Sequence, residues 1–244
     1  MKICNPRTRF HIHVKSSDKV LEVGGGHNPH PRSNVVVDKF SDSNYHRSGN
    51  IKVFKNQTFQ EADGENLPFK DNEFDYVICN HVLEHVDNPD RFLKEQSRVA
   101  KRGYLETPSF IGEHLIPKIS HRWLILEIDN KVVMVEKEKV KFHTSSDFGD
   151  LFLDYLPKVS LGFKMLQRTE PDLFTVRHEW RDSIDYVINP DDPALLKYFT
   201  EPWSEEIFTK IMARRSMGQE VKEAYLAMYE IVKSVFKSKV LRIE

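Results

Sequence analysis

Two stretches of this sequence carry residue types that do chemistry. In the first, the apolar run Val20-Leu21-Glu22-Val23 breaks into Gly24-Gly25-Gly26, and a second run, Val35-Val36-Val37, stops at Asp38. Glycines straight after a buried strand let the backbone turn sharply and come close to a ligand that a β-carbon would push away. An acidic residue at the tip of the next strand can accept hydrogen bonds from both hydroxyls of a ribose. Together they read as a nucleoside-binding corner of an open α/β sheet, against the plainer reading of a glycine turn with no ligand. The second stretch is His81-Val82-Leu83-Glu84-His85. Two histidines four apart on one helical face, with a carboxylate between them, match an inverted zinc-hydrolase spacing. A zinc helix needs a scaffold and a further carboxylate ligand, whereas this motif begins directly after a central strand. The plainer reading makes Glu84 and His85 a hydrogen-bonded pair that supports a neighbouring site.

The elements that must position these residues follow from periodicity and turn chemistry. Val20–Val23 and Val35–Val37 read as strands, joined by a proline-containing stretch too short for a full crossover helix. Residues 39–57 read as loop with an extended piece at Ile51–Phe54, and Thr58–Ala62 as the third strand, ending at Asp63-Gly64. Phe74–Cys79 is continuous and β-branched, the mark of a central strand. A helix is expected through His81–His85 and another up to Ala100, capped by Asp87 or Asn88 with Pro89 in its first turn. Gly103–Thr107 is the next strand. Beyond it, Trp123–Ile128 and Val132–Val135 flank Asp129-Asn130-Lys131 as a β-hairpin, Ser146–Tyr155 reads as a capped helix, and Leu173–Trp180 with Ile184–Ile188 as a closing antiparallel pair. Phe10, Ile12 and Val14 alternate as an edge strand or a lead-in. Helical spacing from Ser204 to Ser238 marks core or a subunit contact, which leaves a homodimer open. The fold class expected is α/β: a doubly wound, mostly parallel sheet with an antiparallel final strand, a hairpin insert and C-terminal helices. One domain is expected, with a core at about 19–109 and 146–190, an insert at about 110–145 and a helical extension at about 200–240.

Composition narrows the function. With 244 residues, 39% hydrophobic and 30% charged, the chain can bury a sizeable core. A net charge of −1 offers no electrostatic case for nucleic acid. Cys4 and Cys79 make no metal or redox spacing, so free thiols in a reducing, cytoplasmic compartment are expected. No apolar core of signal-peptide length begins the sequence, and nowhere do about 18 apolar residues run together, so no membrane span is expected.

The dinucleotide fingerprint wants a third glycine where this chain has Pro29, and the missing crossover helix removes the dipole that a pyrophosphate would use. Both argue against NAD and FAD. Taken as an ordered set, VLEVGGG (20–26), VVVD (35–38), EADGENLPF (61–69), FDYVICNHVLEHV (74–86) and FLKEQSRVAKRGYLETPS (92–109) resemble the class I S-adenosylmethionine-dependent methyltransferases, in particular their small-molecule branch. The resemblance covers about 20–109. It implies S-adenosyl-L-methionine as cofactor, with Glu22 and Gly24, Gly25 and Gly26 at its methionine part and Asp38 at the ribose hydroxyls. It further implies Asp63 and Gly64 at the adenine edge, Leu67 or Phe69 as a wall to the ring, and Asn80 and His81 near the sulfonium. No metal is implied. The family's usual third glycine is Asn28 here, and its Pro-Gly-Gly before the fifth strand is Lys101-Arg102-Gly103.

Methyl transfer to a hydroxyl benefits from a general base, and histidine suits neutral pH. By position in such a fold, His81 or His143 is the expected catalytic base, with Glu113 and His114 as outsiders. The insert Phe110–His143 would cover the acceptor pocket. O-methylation of a small molecule or glycan-type acceptor is the expectation. A non-catalytic scaffold that binds S-adenosylmethionine is the alternative, and a zinc hydrolase through His81-x-x-Glu84-His85 a remote one.

Overall fold

The apolar runs become strands of a seven-stranded sheet. A computed structural model describes residues 1–42, 49–143, 147–212 and 214–239. The sheet contains β1 (Lys2–Cys4), β2 (Val20–Val23), β3 (Val35–Asp38), β4 (Thr58–Glu61), β5 (Tyr76–Asn80), β6 (Arg102–Pro108) and, later in the chain, a strand at Thr175–Arg181. Between β5 and β6 runs α1 (Pro89–Val99), and after β6 come α2 (Phe110–Leu115), β7 (Trp123–Ile128), β8 (Lys131–Glu136), α3 (Leu156–Val159) and α4 (Leu161–Thr169). The Thr175–Arg181 strand is β9; β10 (Tyr186–Ile188), α5 (Pro193–Thr200), α6 (Glu205–Ile211) and α7 (Met217–Lys239) close the chain. The strand order is β1-β9-β6-β5-β2-β3-β4. β2 to β6 are parallel, and β9 runs antiparallel to β6. The chain winds outward in both directions from the β2–β5 pair, so the strand order reverses there. In open α/β sheets ligands bind at that point, outside the carboxyl ends of the strands.

The two faces are covered differently. On one, α1 is capped by Asn88, whose Oδ1 accepts from the Arg91 amide at 3.0 Å, and it buries Phe92, Leu93 and Val99 against Leu21, Val23, Val77 and Cys79. On the other, Val20, Tyr76, Ile78 and Tyr104 meet Ile12 and Val14 of the N-terminal segment. The Phe10–Val14 alternation therefore makes an irregular strap, and the edge strand is β1. The buried Glu179 of β9 ties the strap down: it accepts from the His13 amide at 2.8 Å, from His13 Nδ1 at 2.7 Å and from the Tyr76 hydroxyl at 2.6 Å.

The β2–β3 crossover holds only turns, as the prolines require. Buried Glu22 braces it, its Oε2 accepting from the His30 amide at 2.6 Å and the Ser33 hydroxyl at 2.7 Å. Ile51–Phe54 joins no strand.

The hairpin forms as expected, with Asp129 and Asn130 at φ 48° and 64°, the left-handed pair of a two-residue primed turn. The expected Leu173–Trp180/Ile184–Ile188 pairing does not form. Both edges of β9 are taken, by β6 and β1, so β10 pairs parallel with β8 in a separate three-stranded sheet. One face of the hairpin enters the main core through Trp123, Ile125 and Met134; the other, through Leu124, Leu126 and Val133, packs on Tyr198, Phe199 and Ile207 of α5 and α6. Of the expected Ser146–Tyr155 helix, Ser146 lies outside the described residues; Leu151–Tyr155 is a π-helical turn leading into α3. The stripe after Ser204 divides into α6 and α7; α7 buries Ala227 and Ile231 and leaves Val221, Tyr225 and Val232 exposed. Among the described residues no helix is long and apolar enough to cross a membrane.

Candidate active site

At the carboxyl ends of β2, β3 and β5 lies a cavity of about 790 Å³, lined by Gly24–Gly26, Asp38, Asp63, Gly64, Asn80 and His81 among others. Gly24 and Gly26 adopt φ of 73° and 51°, a region that only glycine enters freely. A β-carbon on Gly24 would stand 2.1 Å from Val82 Cγ2, and one on Gly25 2.4 Å from Val36 Cγ1. The turn is thus glycine-rich first because it seats against its own chain. That tight seating brings its backbone to the cavity wall.

Asp38 lies at the tip of β3, its Oδ1 accepting from the Phe40 amide at 3.0 Å. Asp63 accepts from the Glu65 amide at 2.9 Å and pairs with Lys39 Nζ at 2.7 Å. Partial burial works against its charge, but Lys39 outweighs it and holds the carboxyl below the usual range. Leu67 and Phe69 do not line the cavity: Leu67 is buried in the α1 core and Phe69 packs edge-on against Phe74. Ala62, Val86 and Phe40 supply apolar wall in their place. Glu22 reaches the wall too, although its Oε2 is committed to the crossover brace.

Asn80 ends β5 in the cavity wall. Its Oδ1 and Nδ2 are both buried, and neither has a hydrogen-bond partner among the described residues. His81 follows at φ 54°, its amide donating to the Glu106 carbonyl at 2.8 Å. Its half-exposed ring stands 3.4 Å from Glu84 Oε1 and 3.6 Å from Glu106 Oε1. Partial burial opposes the charge, and the two carboxylates outweigh it and raise the His81 pKa. A ring that keeps its proton at neutral pH is a donor, which argues against His81 as the general base.

The expected helix through His81–His85 is only a 3-10 turn, Leu83–His85, because the left-handed His81 backbone cannot join it. The imidazole that comes close to both Glu84 and His85 is that of His121. His143 is exposed and outside the cavity lining, so its expected catalytic role finds no support in its position. His114 donates to the Phe110 carbonyl at 2.9 Å and lies edge-on to Phe142. Glu113 is buried on α2 and receives His121 Nδ1 at 2.6 Å, Lys137 Nζ at 2.6 Å and the Lys118 amide at 2.9 Å. Arg9, which carries no local signature of a site, comes to the cavity on the strap and donates to the Asn28 carbonyl at 2.8 Å.

Residues 35–105, which contain Asp38, Asp63, Asn80 and His81, match the family model described as a methyltransferase domain. Over that stretch the chain is similar to methyltransferase domains. Curated relatives match over part of their length. The ubiquinone/menaquinone biosynthesis C-methyltransferase UbiE of Pasteurella multocida is 31% identical over 162 residues, 55% of this chain and 59% of that protein. An uncharacterised protein of Methanocaldococcus jannaschii is 32% identical over 117 residues, 45% of this chain and 47% of that one. The chain thus spans about half the length of the curated relatives it matches. Among solved structures, a SAM-dependent methyltransferase from Methanosarcina mazei aligns at 24% identity and a TM-score of 0.33, covering 43% of this chain and 59% of that one.

The residues that line this cavity suit S-adenosylmethionine. The cavity volume lies in the range of small-molecule sites. The two unpartnered polar atoms of Asn80 are what a wall built to hydrogen-bond a ligand leaves open in its absence.

Proposed function

We propose that this chain transfers a methyl group from S-adenosylmethionine to an oxygen of a small-molecule or glycan-type acceptor. The observation that carries the reading is the convergence of Asp38, Asp63, the glycine turn and the unpartnered Asn80 side chain on one cavity where the strand order reverses. Bound S-adenosylmethionine would supply an electrophilic methyl on a cationic sulfur. Asp38 would accept the ribose hydroxyls, Asp63 the adenine amine, and Asn80 would fill its empty hydrogen-bonding capacity on the donor's methionine half. Glu84 and Glu106, ionised beside His81, give this end of the cavity a negative field that favours a sulfonium.

Pro108, Ile116 and Phe174 wall the cavity with apolar surface, which excludes water from the transfer and suits an organic acceptor. The protein's contribution is then near-attack geometry, with His81 donating a hydrogen bond that orients the acceptor oxygen, whose own proton passes to solvent as the oxygen–methyl bond forms and the methyl–sulfur bond breaks. The test is turnover with labelled S-adenosylmethionine against a panel of phenols, sugars, quinols and amines. Label transferred to an oxygen acceptor supports the reading. Donor binding without transfer to any acceptor would leave a binding scaffold, and transfer to carbon or nitrogen alone would overturn O-methylation.

A further inference from the structure

The buried Glu84 side chain holds one oxygen and leaves the other. Its Oε2 accepts from the Thr107 hydroxyl at 2.9 Å, while Oε1 is buried without a hydrogen-bond partner among the described residues. Glu84 Oε1 lies 4.0 Å from His85 Nε2 and 4.0 Å from His121 Nε2, and one ligand atom from each of the three residues lies within 4.8 Å of the others. The two rings meet edge to face, with centroids 4.7 Å apart.

Both imidazoles are oriented from behind. His85 Nδ1 lies 3.0 Å from the Ser120 carbonyl, and His121 Nδ1 lies 2.6 Å from Glu113 Oε2. A carbonyl or carboxylate oxygen only accepts, so each Nδ1 carries a hydrogen and Nε2 is the ring nitrogen turned toward Glu84. Glu113 is itself fixed, by Lys137 Nζ and the Lys118 amide. A carboxylate or carbonyl behind each ligating histidine is the arrangement that orients imidazoles toward a metal ion. His81 Nδ1 also lies 3.4 Å from Glu84 Oε1.

We propose that Glu84, His85 and His121 bind a divalent transition-metal ion of the zinc class. Two imidazole nitrogens and one carboxylate oxygen are the donor set of open catalytic sites, whose remaining position takes water or a substrate oxygen. Ligand atoms around such an ion lie roughly 3.3 Å apart for bonds of about 2.0–2.1 Å, so the two oxygen–nitrogen pairs at 4.0 Å need to close by less than about an ångström. All three residues line the same cavity as Asp38 and Asn80. The open position therefore faces the acceptor end of the cavity, where the ion would bind an acceptor hydroxyl and lower its pKa; this last step alone rests on the methyl-transfer reading. The site differs from the H-x-x-E-H reading, since His81 is replaced by the sequence-distant His121 and Glu84 is a ligand.

The test is calorimetry and cobalt spectroscopy on the full chain, first freed of metal with a chelator. Zn²⁺ should bind at one equivalent, and Co²⁺ should give visible d–d bands that Zn²⁺ bleaches. His121→Gln should weaken Zn²⁺ binding at least about 100-fold and abolish the bands, and Glu84→Gln should do the same. Cys4→Ser, which removes a thiol from the separate Cys4–His13–Glu179 group, should leave both intact. Failure of Zn²⁺ to bind the parent chain, retention of the site in His121→Gln, or its loss in Cys4→Ser would each overturn the proposal. Far-UV circular dichroism with retained S-adenosylhomocysteine binding identifies folded variants; should Glu84→Gln not fold, His121→Gln decides. Because S-adenosylhomocysteine binding is measured separately, failure of the metal site and failure of the methyl-donor reading are distinguishable.

Discussion

Replacing Asn80 by leucine should make the ligand-free protein more stable and the liganded one weaker. Asn80 Oδ1 and Nδ2 are buried without partners among the described residues, in a side chain that only partly escapes solvent contact. Each unsatisfied buried polar group costs about 1–3 kcal/mol, and leucine of similar shape removes both. Taking only one group's worth, because the residue is not fully buried, ligand-free stability rises by about 1–3 kcal/mol. For a chain of this size each kcal/mol moves the Tm by about 2–4 °C, so a rise of at least about 2 °C is expected. The hydrogen bonds that Asn80 would make to a charged donor are worth about 1.5–3 kcal/mol, so S-adenosylhomocysteine should bind roughly 10- to 100-fold more weakly. Chemical denaturation without ligand and calorimetry with it read the two effects. A leucine variant that is less stable than the parent, or that binds S-adenosylhomocysteine equally well, refutes the assignment of Asn80 as a side chain held open for the ligand.

Other expectations concern the elements behind the site. His30 is buried under Phe10, and burial, with Arg9 and Arg32 adding to it, pushes its pKa down to about 4. The fold therefore favours the neutral ring: the contribution is complete above the unfolded value near 6.5 and is lost as pH falls toward 4, on the order of 3 kcal/mol. His30→Phe should flatten the denaturation midpoint across that window, and an unchanged slope would count against the buried neutral ring. Gly24→Ala forces φ 73° on a residue with a β-carbon and sets that carbon 2.1 Å from Val82 Cγ2, so a loss of about 2–4 kcal/mol is expected. Val82→Ala should recover part of it, the contact but not the φ strain, and no recovery in the double variant would mean the contact is not limiting. If the exposed Val221–Tyr225–Val232 stripe of α7 is a subunit contact, Tyr225→Lys with Val232→Lys should convert a dimer to a monomer in sedimentation; a parent chain already monomeric removes that role.

The parts legible in the sequence are those whose cause is local. A run such as Val35-Val36-Val37 makes a buried strand wherever it sits, and Asn88-Pro89 starts a helix by its own capping chemistry. Asp38, Asp63 and Asn80 could be placed because each stands at the end of such a run. The illegible parts depend on residues far apart. The pairing of β10 is decided by Lys2–Cys4 and Arg102–Pro108 already occupying both edges of β9, which nothing between 173 and 188 records. His121 reaches Glu84 and His85 only because the hairpin packs under the turn after β5, with the Arg122 amide donating to the Glu84 carbonyl at 2.8 Å. Glu106, which helps hold the His81 ring protonated, lies on the neighbouring strand and leaves no trace in residues 81–85.

The proposal that two carboxylates, 38 and 63, hold one adenosyl group across neighbouring strand tips is tested most directly by calorimetry with S-adenosylhomocysteine on the parent chain and on Asp38→Asn and Asp63→Asn. One equivalent should bind to the parent, with each asparagine weakening it about 10- to 100-fold. No binding to the parent, or equal binding to a folded double variant, would contradict the account.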